Sequence, residues 1–344
     1  MIAKTLSPAK LNLFLETPRR RKDGFHEIDT LMAAVDVCDE VQIELTSDTT
    51  WQLDCRWAST TGSSKNERQF HKPLTAAPSG DLPTGSDNLA IAAATAFVEN
   101  FAESASGWDG GHITIRKQIP AGAGMGGASS NAASVLRCLA ELHQRQTGQQ
   151  VSRERLAAVA AELGSDVPFF LFQTGTLAHA SGRGEILKTI STERTFYGVV
   201  LHPGVGLSTA QVYGNNAIIP PVASSAGLRE WLTVEPPVNV PSEWLHEHLG
   251  HNRLQSSAAA LLPAVPEMLA FLRETVDSAD LSDAGVITAM TGSGSACYVI
   301  TPDQSAAGRV TQVLQTALPG HPNLGSAWAA PFRTLARPPE IDIG

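Results

Sequence analysis

The stretch PAGAGMGGASSNAA, residues 120–133, constrains the chain more than any other, because glycines stand at 122, 124, 126 and 127. Glycine weakens both helix and strand interiors, so this segment must be a turn. Before it, GHITIRKQIP (111–120) alternates, with Ile113, Ile115 and Ile119 on one face, the pattern of a half-buried strand. After it, Ala132, Val135, Leu136, Leu139 and Leu142 recur at helical spacing, so a helix is predicted to begin near Ser129. A turn between a strand end and a helix start gathers backbone N–H groups and the positive end of the helix at one point. Without Cβ atoms in the way, an anion can approach closely. The segment therefore reads as a phosphate loop built from Pro120, Ala121, Gly122, Ala123, Gly124 and Met125, continuing through Gly126, Gly127, Ala128, Ser129 and Ser130. The hydroxyls of Ser129 and Ser130 are placed to cap the helix or to reach a phosphate or Mg²⁺, and Ser130 is the residue expected at the metal.

Two familiar phosphate sites fit poorly. Gly122, Gly124 and Gly127 spell G-x-G-x-x-G, the dinucleotide fingerprint, but the preceding strand alternates and a proline opens the loop. In addition, HQRQTGQQ (143–150) offers no acid for a ribose. No Gly-Lys-Ser/Thr follows, so the Walker pattern is absent too.

The 344 residues favour about two domains. A net charge of −9 argues against a nucleic-acid coat, which needs a basic footprint. The start, MIAKTLSPAK, lacks a secretory apolar core, and no run of about 18 apolar residues could span a bilayer. A cytoplasmic protein without membrane or nucleic-acid partners is expected, either a monomer or a weak homodimer. Cys38, Cys55, Cys138 and Cys297 show no metal or disulfide spacing and read as reduced structural thiols.

The first strand, SPAKLNLFLET (7–17), is expected to place Leu11, Leu13 and Leu15 on one face and Lys10, Asn12 and Phe14 on the other. An Asp23-Gly24 turn and the short strand VQIEL (41–45) come next. Residues 58–86, rich in Ser, Thr, Gly and Pro, read as a long exposed insertion. Helices are predicted over 88–101, with Asp87 as cap, and over 152–163, with Gly164 as stop. A second region begins near residue 190, with TFYGVVLHP a strand, PEMLAFLRETV a helix and AGVITAMTGSGSACYVIT two strands about a glycine turn. Residues 214–250 are expected to be irregular.

With SPAKLNLFL, PAGAGMGGASSNAA, LGSDVPFFL (163–171) and TGSGSA (291–296) in that order, the chain resembles the galactokinase, homoserine kinase, mevalonate kinase and phosphomevalonate kinase family. DGFHEI (23–28) narrows the resemblance to members whose acceptor alcohol carries cytidine diphosphate. The resemblance implies an α+β, two-domain small-molecule kinase fold with a ribosomal-protein-S5-like N-terminal domain and an α/β-sandwich C-terminal domain. Residues 1–190 would bind ATP, with Mg²⁺, and residues 191–344 would lie on the substrate side. Lys10 and Asp166 fall on the catalytic pair, and Asn12 and His26 on substrate-holding positions. Phe25 stands where some relatives have a tyrosine against the cytosine, with Tyr213 available for the other face of the base. A phenylalanine keeps the stacking surface and loses the hydroxyl.

By that resemblance Asp166 accepts the proton of the attacking hydroxyl while Lys10 steadies the developing charge. Read without it, Asp166 is an N-cap for the helix after it. Arg19, Arg20, Arg21 and Lys22 beside the turn read as a solvated charge run. Another kinase of the same family, or an inactive nucleotide-binding relative, stays open on the sequence.

Overall fold

The computed structural model describes residues 1–58, 73–76, 78, 80–83, 85, 87–102, 108, 110–172, 177–190, 194–215, 248–282 and 285–344. Among these residues two sheets face each other. The first joins β1 (Ile2–Arg20), β2 (His26–Leu45), β3 (Trp51–Trp57), β4 (Gly111–Lys117), β5 (Leu177–Gly182) and β6 (Ile186–Ile190) with β11 (Asp342–Ile343), in the order β11-β1-β2-β4-β3, β5 and β6 extending from β2. The second runs β10-β7-β9-β8, from β7 (Tyr197–His202), β8 (Ile287–Met290), β9 (Cys297–Thr301) and β10 (Trp328–Arg333).

Three apolar clusters order the layers. The first packs α1 (Leu89–Phe101), α2 (Gly127–Thr147), α3 (Arg153–Leu163) and α4 (Val167–Phe172) on one face of the first sheet. The second lies between the sheets, where Leu11, Leu13, Phe14 and Leu31 meet Val200, Tyr298, Trp328 and Phe332. The third packs α7 (Ala264–Ser278) and α8 (Gln304–Ala317) on the outer face of the second sheet. Also among the described residues, the short helices α5 (Thr209–Gly214) and α6 (Gln255–Leu261) approach the glycine turn at 291–295, where Thr209 Oγ1 lies 3.0 Å from Ser293 Oγ and a Cβ on Gly294 would stand 3.6 Å from the Ala258 Cβ.

Alternation survives where one face is buried. Ile113, Ile115 and Ile119 are buried as expected, and so is the stripe of α2. VQIEL is the end of a 20-residue strand and no separate one. Phe14 departs from its expected face. The pairing register of β1 with β2 slips between Asn12 and Phe14, leaving Leu13 as the extra residue. Such a bulge re-aims the side chains after it, and Phe14 turns into the inter-sheet core while Lys10 and Asn12 keep a common face. The cap of α1 is Asn88, one residue later than Asp87, its side chain accepting from the Ala90 N–H at 2.9 Å. Ser152 and Gly164 begin and end α3 as predicted. Residues 59–72 of the insertion lie outside the described residues, as do 216–247. Leu74 and Thr75 nevertheless hook onto Ala329 of β10 by hydrogen bonds of 2.7 and 3.0 Å. The four cysteines are free and buried. No helix among the described residues is long and apolar enough to cross a membrane.

Candidate active site

The glycine loop leaves β4 and enters α2 two residues earlier than the serines suggested, at Gly127. Gly122, Gly124 and Gly126 have φ of 66°, 74° and 69°, the left-handed region that favours glycine. Gly126 caps the helix without any side-chain hydrogen bond, and the backbone ladder opens with Ser130 N–H to Gly126 C=O at 2.9 Å. The N–H groups of Gly127, Ala128 and Ser129 therefore precede any intrahelical acceptor at the positive end of a 21-residue helix. This cradle suits the phosphates of ATP. Ser130 is the residue expected at the metal. It is fully buried and its hydroxyl accepts from Ser7 at 2.8 Å, because the fourth helical position points back at β1. Ser129 is half-buried, with its Oγ beside Gly164 on the segment that carries Asp166. Among the described residues no cluster of three His, Cys, Asp or Glu side chains stands ready for a metal.

The second glycine turn, Thr291–Ser295, closes over the first. A Cβ on Gly124 would stand 2.4 Å from the Thr291 carbonyl oxygen, and one on Gly292 2.6 Å from the Gly124 carbonyl oxygen. The Ala296 N–H donates to the Ala123 carbonyl at 3.1 Å, and Thr291 Oγ1 accepts the Asn12 N–H at 2.9 Å. Two contributors escaped sequence reasoning. The segment Pro203–Ser208 packs on the loop through Leu207 N–H to Gly122 C=O at 3.2 Å. Asn252 donates to the Met290 and Gly292 carbonyls at 2.7 and 2.9 Å. The PGVG at 203–206 was the signal for the first; Asn252 carries none.

Lys10 lies between the two turns. Its stem passes within 3.2 Å of where a Gly126 Cβ would be, and its Nζ equally near a Gly292 Cβ. The ammonium donates to Asn12 Oδ1 at 2.5 Å and stands 3.7 Å from Asp166 Oδ2. The Asn12 amide donates in turn to Thr30 Oγ1 at 2.8 Å, so a buried asparagine aims a buried lysine. Asp166 sits at the threshold of α4 with its side chain 33% exposed, the one partner open to an incoming hydroxyl.

Beyond Asp166 lie the rings. Tyr213 on α5 is half-buried, and its phenol is pushed well above the ordinary tyrosine range by burial and by the Asp166 carboxylate, which keeps it protonated. His26 lies 5.1 Å from the Tyr213 ring, and burial, then Arg20, hold its pKa below the usual histidine value, so it is neutral at pH 7. Phe25 lies at the β1–β2 hairpin tip, 55% exposed, with the Arg183 guanidinium 5.4 Å from its ring centre. Glu185 holds Arg183, accepting its N–H at 2.6 Å. In the basic run, Arg21 is paired with Asp23 and Glu27, consistent with a solvated hairpin.

Comparison with known proteins shows the family. Residues 88–174 match the GHMP kinases N terminal domain. A 4-diphosphocytidyl-2-C-methyl-D-erythritol kinase of Rhodopirellula baltica is 35% identical over 98% of this chain and 97% of its own length. One from Desulfotalea psychrophila is 31% identical over 89% and 88%. Among solved structures, a 4-(cytidine 5'-diphospho)-2C-methyl-D-erythritol kinase superposes with a TM-score of 0.63 at 29% identity, covering 96% of this chain and 98% of that one. Homoserine kinase from Cytophaga hutchinsonii gives 0.66 at 14% identity over 99% and 97%, a likeness of fold alone.

Proposed function

Since the chain belongs to the 4-diphosphocytidyl-2-C-methyl-D-erythritol kinases of the GHMP family, we infer that it uses ATP to phosphorylate that cytidylyl alcohol, at its 2-hydroxyl, in the non-mevalonate route to isoprenoids. The observation that carries the residue assignments is the Lys10–Asp166 pair, 3.7 Å apart against the wall of the glycine loop.

The loop Pro120–Ser130 holds ATP through its backbone N–H groups and the start of α2. Bound together with ATP, Mg²⁺ would supply charge neutralisation on the phosphates. Ser129 would offer it a hydroxyl oxygen on that side of the loop, whereas Ser130 braces α2 from beneath. Asp166 orients the acceptor hydroxyl and takes its proton late, since a loose transition state asks for little deprotonation early. Lys10, aimed by Asn12, steadies the negative charge that builds between hydroxyl and phosphoryl group. His26 and Tyr213 hold the cytidine end, and Phe25 offers a stacking face at the hairpin tip. Residues 1–190 supply most of the ATP site and 191–344 its roof and the Tyr213 wall.

Turnover of ATP by the purified protein with Mg²⁺ and each candidate alcohol tests this reading. Phosphorylation of the cytidylyl alcohol, with homoserine and mevalonate inert, is expected. Preference for either control would overturn it.

A further inference from the structure

Resting on the reading of residues 120–130 as the ATP site, we propose that a buried polar knot centred on Asp39 and Asn131 sets the enzyme's affinity for ATP by clamping both ends of the glycine loop. Asp39 and Asn131 then act as positioning residues that touch no substrate.

The loop departs at Gln118 and Ile119, and their N–H groups donate to Asp39 Oδ1 at 2.7 and 3.0 Å. It returns near the start of α2, where Asn131, the fifth helical residue, donates through Nδ2 to Asp39 Oδ2 at 3.0 Å. One carboxylate thus fixes exit and entry together. Lys117 pairs with the same Oδ2 and donates to Asn131 Oδ1 at 3.0 Å. Asn131 also donates to Ser7 Oγ at 2.9 Å, and Ser7 to Ser130 at 2.8 Å, which ties the knot to β1 three residues from Lys10.

Asp39, Ser7 and Ser130 are wholly buried, and Asn131 and Lys117 are 4% and 6% exposed. Burying so many polar atoms is a poor route to stability, since well-packed apolar groups often do as well as a buried ion pair. A fully satisfied network delivers a single geometry instead. The Lys117 ammonium would lie 3.2 Å from a Cβ on Gly127, directly beneath the helix start. A lone cation there opposes the helix dipole. Asp39 offsets it, so the unpaired N–H groups above stay aligned for an anion.

The test is equilibrium titration of ATP on the full-length protein, beside steady-state kinetics and thermal melting. Asn131→Ala removes three hydrogen bonds. Its Kd for ATP should rise about tenfold while KM for the cytidylyl alcohol stays within about twofold. A lowered Tm with unchanged Kd in the folded protein would make the knot merely structural and overturn the proposal. Ser7→Ala deletes two of the bonds and decides the matter if Asn131→Ala does not fold. There a rise of about threefold supports the clamp and no change overturns it. Wild-type protein that binds ATP and phosphorylates a different alcohol would sink the functional reading alone, leaving the clamp to the titrations. Wild-type protein that binds no ATP would sink the loop reading and the clamp with it.

Discussion

At the scale of single residues, exposure separates the partners of the proposed catalytic pair. Lys10 is 5% exposed and held on two sides, whereas the Asp166 side chain is 33% exposed. Asp166→Asn should therefore leave both KM values near wild type and lower kcat by at least about 100-fold, the scale of lost general-base help. Steady-state kinetics with each substrate varied will show it, and full activity would remove Asp166 from the reaction. A second residue governs acid stability. Burial depresses His202 from 6.5 to about 4, so between those values the unfolded chain binds a proton that the folded protein refuses. Its stabilising contribution is complete above pH 6.5 and is lost as pH falls toward 4, by about 3 kcal/mol in all. The urea midpoint of wild type should drop more steeply between pH 7 and 4.5 than that of His202→Gln; equal slopes would assign the acid sensitivity elsewhere.

At the scale of elements, the site is an interlock of turns, and Asn252 ties it. Asn252→Ala frees the Met290 and Gly292 carbonyls. We expect a loss of about 1–3 kcal/mol in urea unfolding and a fall in kcat of about tenfold, because the turn above Lys10 loosens. Asn252→Asp, which sets a carboxylate against two carbonyls, should be worse, and wild-type kinetics in both would show the tie to be idle. This interlock also marks what the sequence could show. The glycine loop, the stripe of α2 and the shared face of Lys10 and Asn12 stem from periods of 3.6 and 2, and they appear where expected. The Asn252 tie, the packing of Pro203–Ser208 on Gly122 and the knot at Asp39 are contacts between backbones or buried polar atoms far apart in the chain. No local period encodes such contacts. Phe14 was misplaced for a related reason, since a bulge rotates the side chains after it without changing any apolar pattern.

At the scale of the whole molecule, the two sheets share a core. Leu11, Leu13 and Phe14 pack against Val200 and Tyr298, and fully buried Asp36 on β2 accepts the Arg333 N–H at 2.8 Å and its Nε–H at 3.1 Å across to β10. Both halves should therefore melt in a single calorimetric transition. Asp36→Asn, which weakens a charge-assisted contact, should lower that transition by about 1–3 kcal/mol of stability without dividing it. Two separated transitions would mean the halves fold independently.

The closing of Thr291–Ser295 over Gly124 and Lys10 bears on how such enzymes diversify. The floor of the nucleotide cradle is written early in the chain and its ceiling some 170 residues later, roughly the length of a further domain. Recombination that grafted a foreign second half onto this first half would replace the ceiling together with the acceptor wall. Acceptor preference and ATP handling are thus inherited as one unit, and chimeras between relatives should inherit or lose the two traits together.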